Sequence, residues 1–340
     1  LNPVAGLLTW ASLNLLGGSP EVQAEVARVQ QQAFAAADQQ ITDWGIEHND
    51  RGERAEAFLY CVEVKPEGCD YYIPLAPSWV VAEKYNIVTR WTRVGNAERL
   101  APEVLAVSDA EFKLYKDKKG ATVVDSRVVD PFDPNRSWSV EALRGTDGLR
   151  RWTNDDVVPR PDDVFQERLY CIRWAKTVIR DGKPKLVRRY AAPDAADLAR
   201  EAQVLTLLRE RFANWQREGF IPSKAIPESG AETDRLFRER GWTHWHHLFT
   251  PRQLLTYGCY LSQGAVATSK EARVALLLKL GVQANWNSKL CIWNADKSKG
   301  PGSTEQTFAN QALNTLFNFG TRSYGLLQES LIKDFTYSTT

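Results

Sequence analysis

Three of the chain's four histidines, His244, His246 and His247, fall within four residues, beside Trp242 and Trp245. Imidazole is the commonest protein ligand for zinc, so metal binding is the first chemistry to weigh. Alternate residues His244 and His246 could converge from a strand, but His247 would then point to the opposite face. Three adjacent ligands on a loop would still need a fourth from elsewhere. The spacing therefore argues against a metal. Two readings stay open: a polar surface that meets a ligand or supports a site, and packing for the tryptophans with imidazoles satisfied by backbone.

Directly after the histidines comes Phe249-Thr250-Pro251-Arg252-Gln253-Leu254. Thr250 and Gln253 have the spacing of a capping box, and Pro251 sits where a first-turn proline loses no hydrogen bond. Phe249 and Leu254 are placed to form a hydrophobic staple. A helix is expected from Pro251, with Arg252 beside free first-turn amides that favour an anion such as phosphate.

Other elements must position this stretch. Leu7, Leu8, Trp10, Ala11, Leu13 and Leu15 predict a helix that ends at Gly17-Gly18-Ser19-Pro20. A second helix is expected from Pro20 to about Ile41, with Val22, Val26, Val29, Ala33 and Ala37 at helical spacing. From about 54 to 190 the pattern changes to short β-branched or alternating runs separated by turn residues. Within it, Leu59-Tyr60-Cys61-Val62 and Leu169-Tyr170-Cys171-Ile172 echo one another, which predicts two strands of one sheet. Helix returns from Asp194 to about Gln216 on a Leu198, Ala202, Leu205, Leu208, Phe212, Trp215 stripe, then around Lys270 to Leu280 and over about 305–318. In that last segment Gln311, Asn314 and Asn318 recur at helical spacing. They either present amides to a base or phosphate or form a plain polar face opposite Leu313, Leu316 and Phe317. Lys116, Lys118 and Lys119 beside Tyr115 read as a basic hairpin tip or a solvated turn.

The 340 residues are 43% hydrophobic and 25% charged, enough for a sizeable core in two or three domains. Lys+Arg 43 against Asp+Glu 42 gives no global basic bias, so a nucleic-acid surface would have to come from local segregation of charge. The longest apolar runs, such as Val274-Ala275-Leu276-Leu277-Leu278, are too short to span a bilayer, and no signal peptide is read. Five cysteines without a Cys-x-x-Cys pair point to reduced thiols and a cytoplasmic location.

The tryptophan-rich turn ending in Phe-Thr-Pro-Arg-Gln-Leu-Leu resembles the large prokaryotic adenine-specific DNA methylases that contain a Zn-ribbon and have an N-terminal domain of unknown function. Further segments match in the same order: Leu1-Asn2-Pro3-Val4-Ala5, Tyr72-Ile73-Pro74-Leu75-Ala76-Pro77-Ser78-Trp79, Asp163-Val164-Phe165-Gln166-Glu167-Arg168-Leu169-Tyr170 and Asn310-Gln311-Ala312-Leu313-Asn314-Thr315-Leu316-Phe317-Asn318. Together they span nearly the whole chain. The resemblance implies an α/β fold with Rossmann-type methyltransferase elements. Its divisions are a helical part over 1–51, a β-rich, degenerate zinc-ribbon-like insertion over 52–190, and a mainly helical return over 191–340. It also implies methyl transfer from S-adenosylmethionine to adenine N6 in DNA, in restriction-modification or anti-phage defence, with DNA and other defence-system proteins as partners and no membrane. His246, His247, Thr250, Arg252, Gln253 and Asn314 become the expected DNA contacts. The competing reading is a non-catalytic DNA-recognition or protein-binding module of a defence complex.

Adenine methylation needs a glycine-rich strand-to-helix turn for the cofactor and an Asp/Asn-Pro-Pro-aromatic loop for the flipped base. Neither is present. Gly17-Gly18 follows a helix, no Pro-Pro occurs, and Asp130-Pro131-Phe132-Asp133-Pro134-Asn135 lacks the second proline and reads as a turn. By resemblance Asn2 and Pro3 line the adenosine pocket, the glycine-rich turn lies upstream of Leu1, and the Pro-Pro loop follows the 310–318 block. No catalytic residue is assigned, and residues 1–340 alone are expected to be inactive. A zinc ribbon needs paired cysteine knuckles. With Cys61, Cys69 and Cys171 unpaired in sequence, no zinc is expected and the cysteines read as small buried hydrophobes.

Overall fold

Ser19 and Pro20 are the strongest helix start in the first part of the chain, and the structure uses both. In this computed structural model, which describes residues 3–267, 269–309 and 312–332, the Ser19 hydroxyl accepts from the Val22 amide and Pro20 opens α2 (Pro20–Asp43). The Val26, Val29, Ala33 and Ala37 stripe is buried. Before it, α1 (Pro3–Ala11) passes into a π-helical turn over Ser12–Leu16.

Strands then dominate. They are β1 (Arg54–Val64), β2 (Ile73–Leu75), β3 (Val80–Ala82), β4 (Ile87–Thr92), β5 (Ala101–Ala106), β6 (Val123–Val124), β7 (Arg127–Val129), β8 (Ser137–Ser139), β9 (Phe165–Arg180) and β10 (Lys183–Ala191), with α3 (Asp109–Lys116) and α4 (Val140–Leu143) between them. The C-terminal part contributes α5 (Ala195–Glu218), α6 (Ala231–Arg240), α7 (Pro251–Gly264), α8 (Lys270–Trp286), β11 (Trp293–Asn294), β12 (Ser303–Thr304), β13 (Asn318–Arg322) and α9 (Gln328–Ile332).

The main sheet runs β10-β9-β1-β13, with β2 on the same edge of β1 as β13. As the echo segments predict, Leu59 faces Cys171 and Tyr60 faces Leu169 across the β1/β9 ladder. β1 is buried on both faces, which explains its near-continuous apolar sequence. Leu59 and Cys61 join Trp79, Trp91 and Cys171 in the core shared with the small sheets β3-β4-β5 and β6-β7-β8. Phe58 and Tyr60 pack with Ile172, Trp174 and Phe319, toward the helices.

The helical core gathers Phe34, Ile41, Leu208, Leu255, Tyr260 and Leu331. α5 starts on an Asp194/Asp197 capping box and ends at Gly219 in the left-handed conformation. Its Val204, Leu208, Phe212 and Trp215 are buried, while Leu198, at the head of the predicted stripe, is exposed. α7 packs against both α2 and α5, which buries even its polar residues.

The fold is mixed α/β with an antiparallel sheet. Every ladder between its named strands is antiparallel, so the parallel sheet of a Rossmann-type domain is not among the described residues. Over the described residues of the stretch, 305–309 and 312–318, the helix expected over 305–318 does not form. The backbone there bonds outward instead: Thr307 N donates to Asn285 O, Leu313 N donates to Glu232, Arg240 donates to Leu316 O, and Val62 N donates to Phe317 O. Asn318 begins β13. The expected lysine hairpin tip is the end of α3 and the turn after it, where Lys116 pairs with Glu83 and Lys119 with Glu111. Asp130 does head a turn, accepting from Phe132 N at 2.9 Å and from Tyr71 Oη at 2.6 Å.

Candidate functional site

α6 ends at Gly241, whose φ of 71° only glycine adopts readily and where a Cβ would lie 2.1 Å from the Arg150 carbonyl oxygen. That close approach lets Trp152 N donate to Gly241 O at 2.8 Å. The Thr243 hydroxyl donates to Trp152 O at 2.5 Å. The histidine segment is thereby tied to the loop that leads into β9.

Backbone fixes the His247 ring, while His246 Nδ1 lies 3.5 Å from the Gln216 side-chain amide and its buried Nε2 has no hydrogen-bond partner among the described residues. His247 Nδ1 accepts from the amides of Thr243, at 3.1 Å, and His244, at 3.2 Å, leaving Nε2 to donate to Thr153 O at 3.1 Å. His246 stacks edge-on against His247 with centroids 4.3 Å apart, and against Phe212 at 5.2 Å. Burial, then the neighbouring His244, holds His246 down to about 4; burial, then His246, holds His247 down to about 2. Both imidazoles are neutral near pH 7.

The capping box forms as the sequence predicts: Gln253 N donates to Thr250 Oγ1 and Thr250 N donates to Gln253 Oε1. The Gln253 amide donates onward to Asn287 Oδ1 at 2.8 Å. Arg252 turns away from the helix mouth. Its Nη1 donates to Ile46 O at 2.9 Å, its Nε to Glu201 Oε1 at 3.1 Å, and its guanidinium lies 3.8 Å from the centre of the Phe58 ring.

This changes what these residues can touch. His246, His247, Thr250, Arg252 and Gln253 are each no more than 1% exposed, so the structure places all five inside the protein and not on a surface a duplex reaches. Asn314 is half-buried on irregular backbone, its Oδ1 accepting from Arg235. Pro3 is the first residue of α1. Asn2 and Gln311 lie outside the described residues.

Sequence reasoning missed the charged groups beside the histidines. Lys289 is fully buried, with Nζ 2.8 Å from Glu167 Oε1 and 5.3 Å from the ring centres of both Trp152 and Trp242. Arg240 lies over Phe165 and Phe317, and burial, with Arg144 nearby, pushes it down to about 10. Only the membership of Glu167 in a family-like block pointed here. Trp242, Arg240, Glu167 and Asp163 border a cleft of about 70 Å³, room for a few waters and not for a nucleoside.

Neither implied group fits the described residues. They contain no glycine-rich strand-to-helix turn. Cys61, Cys69 and Cys171 are buried in the apolar core with Trp79 and Trp91, and burial pushes the thiols of Cys61 and Cys171 up, the latter to about 12. Among the described residues no three His, Cys, Asp or Glu side chains are placed to hold a metal ion, and no helix is long and apolar enough to cross a membrane. Comparison with protein-family models, with curated proteins and with solved structures found no match.

Proposed function

We propose that the chain is the non-catalytic middle portion of an S-adenosylmethionine-dependent DNA adenine-N6 methyltransferase acting in DNA modification or anti-phage defence. In this reading it frames the Rossmann-type catalytic elements and presents them to DNA. One observation supports the reading: four of the five family-like blocks, far apart in sequence, meet at strand β1. The 72–79 block supplies β2, the 163–170 block starts β9 and the 310–318 block leads into β13, and all three strands pair with β1. The α7 block sets Arg252 on Phe58 of the same strand. A resemblance that were a chance scatter of short matches would have no reason to converge in space.

In that enzyme the cofactor supplies the methyl group, and its pocket and the base-holding loop come from sequence outside these residues. The test is a reading frame that carries the flanking motifs, incubated with labelled S-adenosylmethionine and DNA. Label on adenine N6 is expected, with none from residues 1–340 alone. A frame that neither binds the cofactor nor labels DNA overturns the enzyme reading. The absence of a glycine-rich turn and of a metal-holding cluster among the described residues favours, as the second reading, a DNA-recognition or protein-binding module of a defence complex.

A further inference from the structure

The ladder between β1 and β9 ends at Arg54 and Ala175, but β9 continues to Arg180 and pairs from there only with β10. Residues 176–187 are therefore a two-stranded ribbon standing about 17 Å beyond the sheet, at roughly 3.4 Å per residue. Asp181 and Gly182 close it with φ of 52° and 71°, the conformation that an Asp-Gly two-residue hairpin turn supplies.

Register sorts the side chains. Directly paired residues of an antiparallel ladder share a face, and the pairs are Lys183 with Arg180, Lys185 with Val178 and Val187 with Lys176. All four cations of the ribbon, Lys176, Arg180, Lys183 and Lys185, thus stand on one face. The other carries Thr177, Ile179, Pro184 and Leu186. The four cations are exposed, and among the described residues none forms an ion pair. Arg189, farther along the same face, is neutralised by Glu53, and Arg188, on the opposite face, by Glu56. The only acid in the ribbon is Asp181, at the tip.

In a chain of net charge +1, four exposed cations on one face of the ribbon, of which only Lys176 at its base lies near an acid outside the ribbon, Glu53, are the local segregation of charge that overall composition hides. A two-stranded ribbon also fits the major groove, about 12 Å wide. The acidic, glycine-containing tip argues against insertion into a membrane.

We propose that the β9/β10 ribbon is a nucleic-acid-binding arm whose Lys176, Arg180, Lys183 and Lys185 face contacts the phosphates of double-stranded DNA. The choice of DNA rests on the function proposed above; the arm itself rests on the ribbon's geometry and charge.

The experiment measures anisotropy of a labelled random-sequence duplex against the full chain over a salt series. Three proteins are compared: wild type, the arm variant (Lys176→Ala, Arg180→Ala, Lys183→Ala, Lys185→Ala), and a control that removes as many charges around α3 (Lys113→Ala, Lys116→Ala, Lys118→Ala, Lys119→Ala). The arm variant is expected to lose about tenfold or more in affinity at low salt and to flatten the log-affinity against log-salt slope by about three to four. The control should change little. Lys183→Glu alone should weaken binding in the same direction if the fourfold variant does not fold. Equal binding by arm variant and wild type, equal loss in the control, no duplex binding by wild type, or arm-dependent binding to phosphatidylserine vesicles in place of DNA overturns the arm. Methyl transfer reports on the enzyme separately: transfer with arm-independent binding overturns only the arm, and arm-dependent binding without transfer overturns only the enzyme.

Discussion

Arg252 Nε donates to Glu201 Oε1 at 3.1 Å while its guanidinium lies 3.8 Å from the centre of the Phe58 ring, so one side chain ties α7 to both α5 and β1. Tyr60 Oη donates to the other carboxylate oxygen, Oε2, at 2.6 Å. Arg252→Ala removes the only cation paired with Glu201 among the described residues and strands the Ile46 carbonyl. Breaking a buried pair from one side costs about 3–5 kcal/mol. Lysine cannot reproduce the fork that reaches both acceptors, so Arg252→Lys should recover little of the loss. Urea midpoints measure this. A variant that keeps its midpoint yet loses DNA affinity would return Arg252 to phosphate binding.

Gly258 sits mid-helix in α7, where alanine should gain about 1 kcal/mol from helix propensity alone. Packing opposes it, because a Cβ there would lie 2.2 Å from Trp215 Cε3. An indole ring wedged between helices has nowhere to go, and overpacking of this kind costs about 1–3 kcal/mol. Gly258→Ala is expected to lower stability on balance, and Trp215→Leu in the same chain should recover part of the loss. A stabilised Gly258→Ala protein would show that the two helices part easily.

Local signals made much of the fold legible. Ser19-Pro20, Asp194 and Thr250-Pro251 each start a helix, because capping is decided within four residues. The echo of Leu59-Tyr60-Cys61-Val62 in residues 169–172 located the central strand pair. What could not be read is which polar face ends up inside. Arg252 looks like a cation at a helix mouth until Glu201, 51 positions away, turns it inward. Likewise the amides over 305–318 have helical spacing, but Asn285, Glu232, Arg240 and Val62 take its backbone groups. Those partners are set by tertiary contact, which no window of sequence contains.

Lys289 is buried against Glu167 with tryptophan rings on two sides. Burial pushes its ammonium below the ordinary lysine range and Glu167 raises it again. Glu167→Gln should therefore cost about 3–5 kcal/mol by leaving that charge uncompensated, whereas replacing both partners together, Glu167→Leu with Lys289→Met, should come close to wild type. A double-mutant cycle on denaturation midpoints measures the coupling. Additive single effects would mean that water reaches the pair.

His246 and His247 give the fold an acid limit above that of its carboxylates. Both rings are held neutral, at about 4 and about 2 against an ordinary 6.5. The unfolded chain takes up their protons first as pH falls, so their contribution to stability is complete above about 6.5 and declines below it. His246 stops contributing to the decline near 4, where it protonates in the folded state as well. Each ring accounts for up to about 1.4 kcal/mol per pH unit. Paired carboxylates such as Glu53, held down to about 2 by Arg189, act with the same sign but only below their ordinary 4.5. Between about 6.5 and 4.5 the decline comes from histidine, with His48, also lowered by burial, adding to it and Glu63, raised by burial, acting with the opposite sign. Urea unfolding at about pH 7, 6 and 5 should show stability falling across that window. His247→Asn keeps an acceptor for the Thr243 and His244 amides but cannot titrate, so it should reduce the slope by roughly one proton's worth. A flat profile from about pH 7 to 5 in the wild-type chain would show that the imidazoles are not sealed from water.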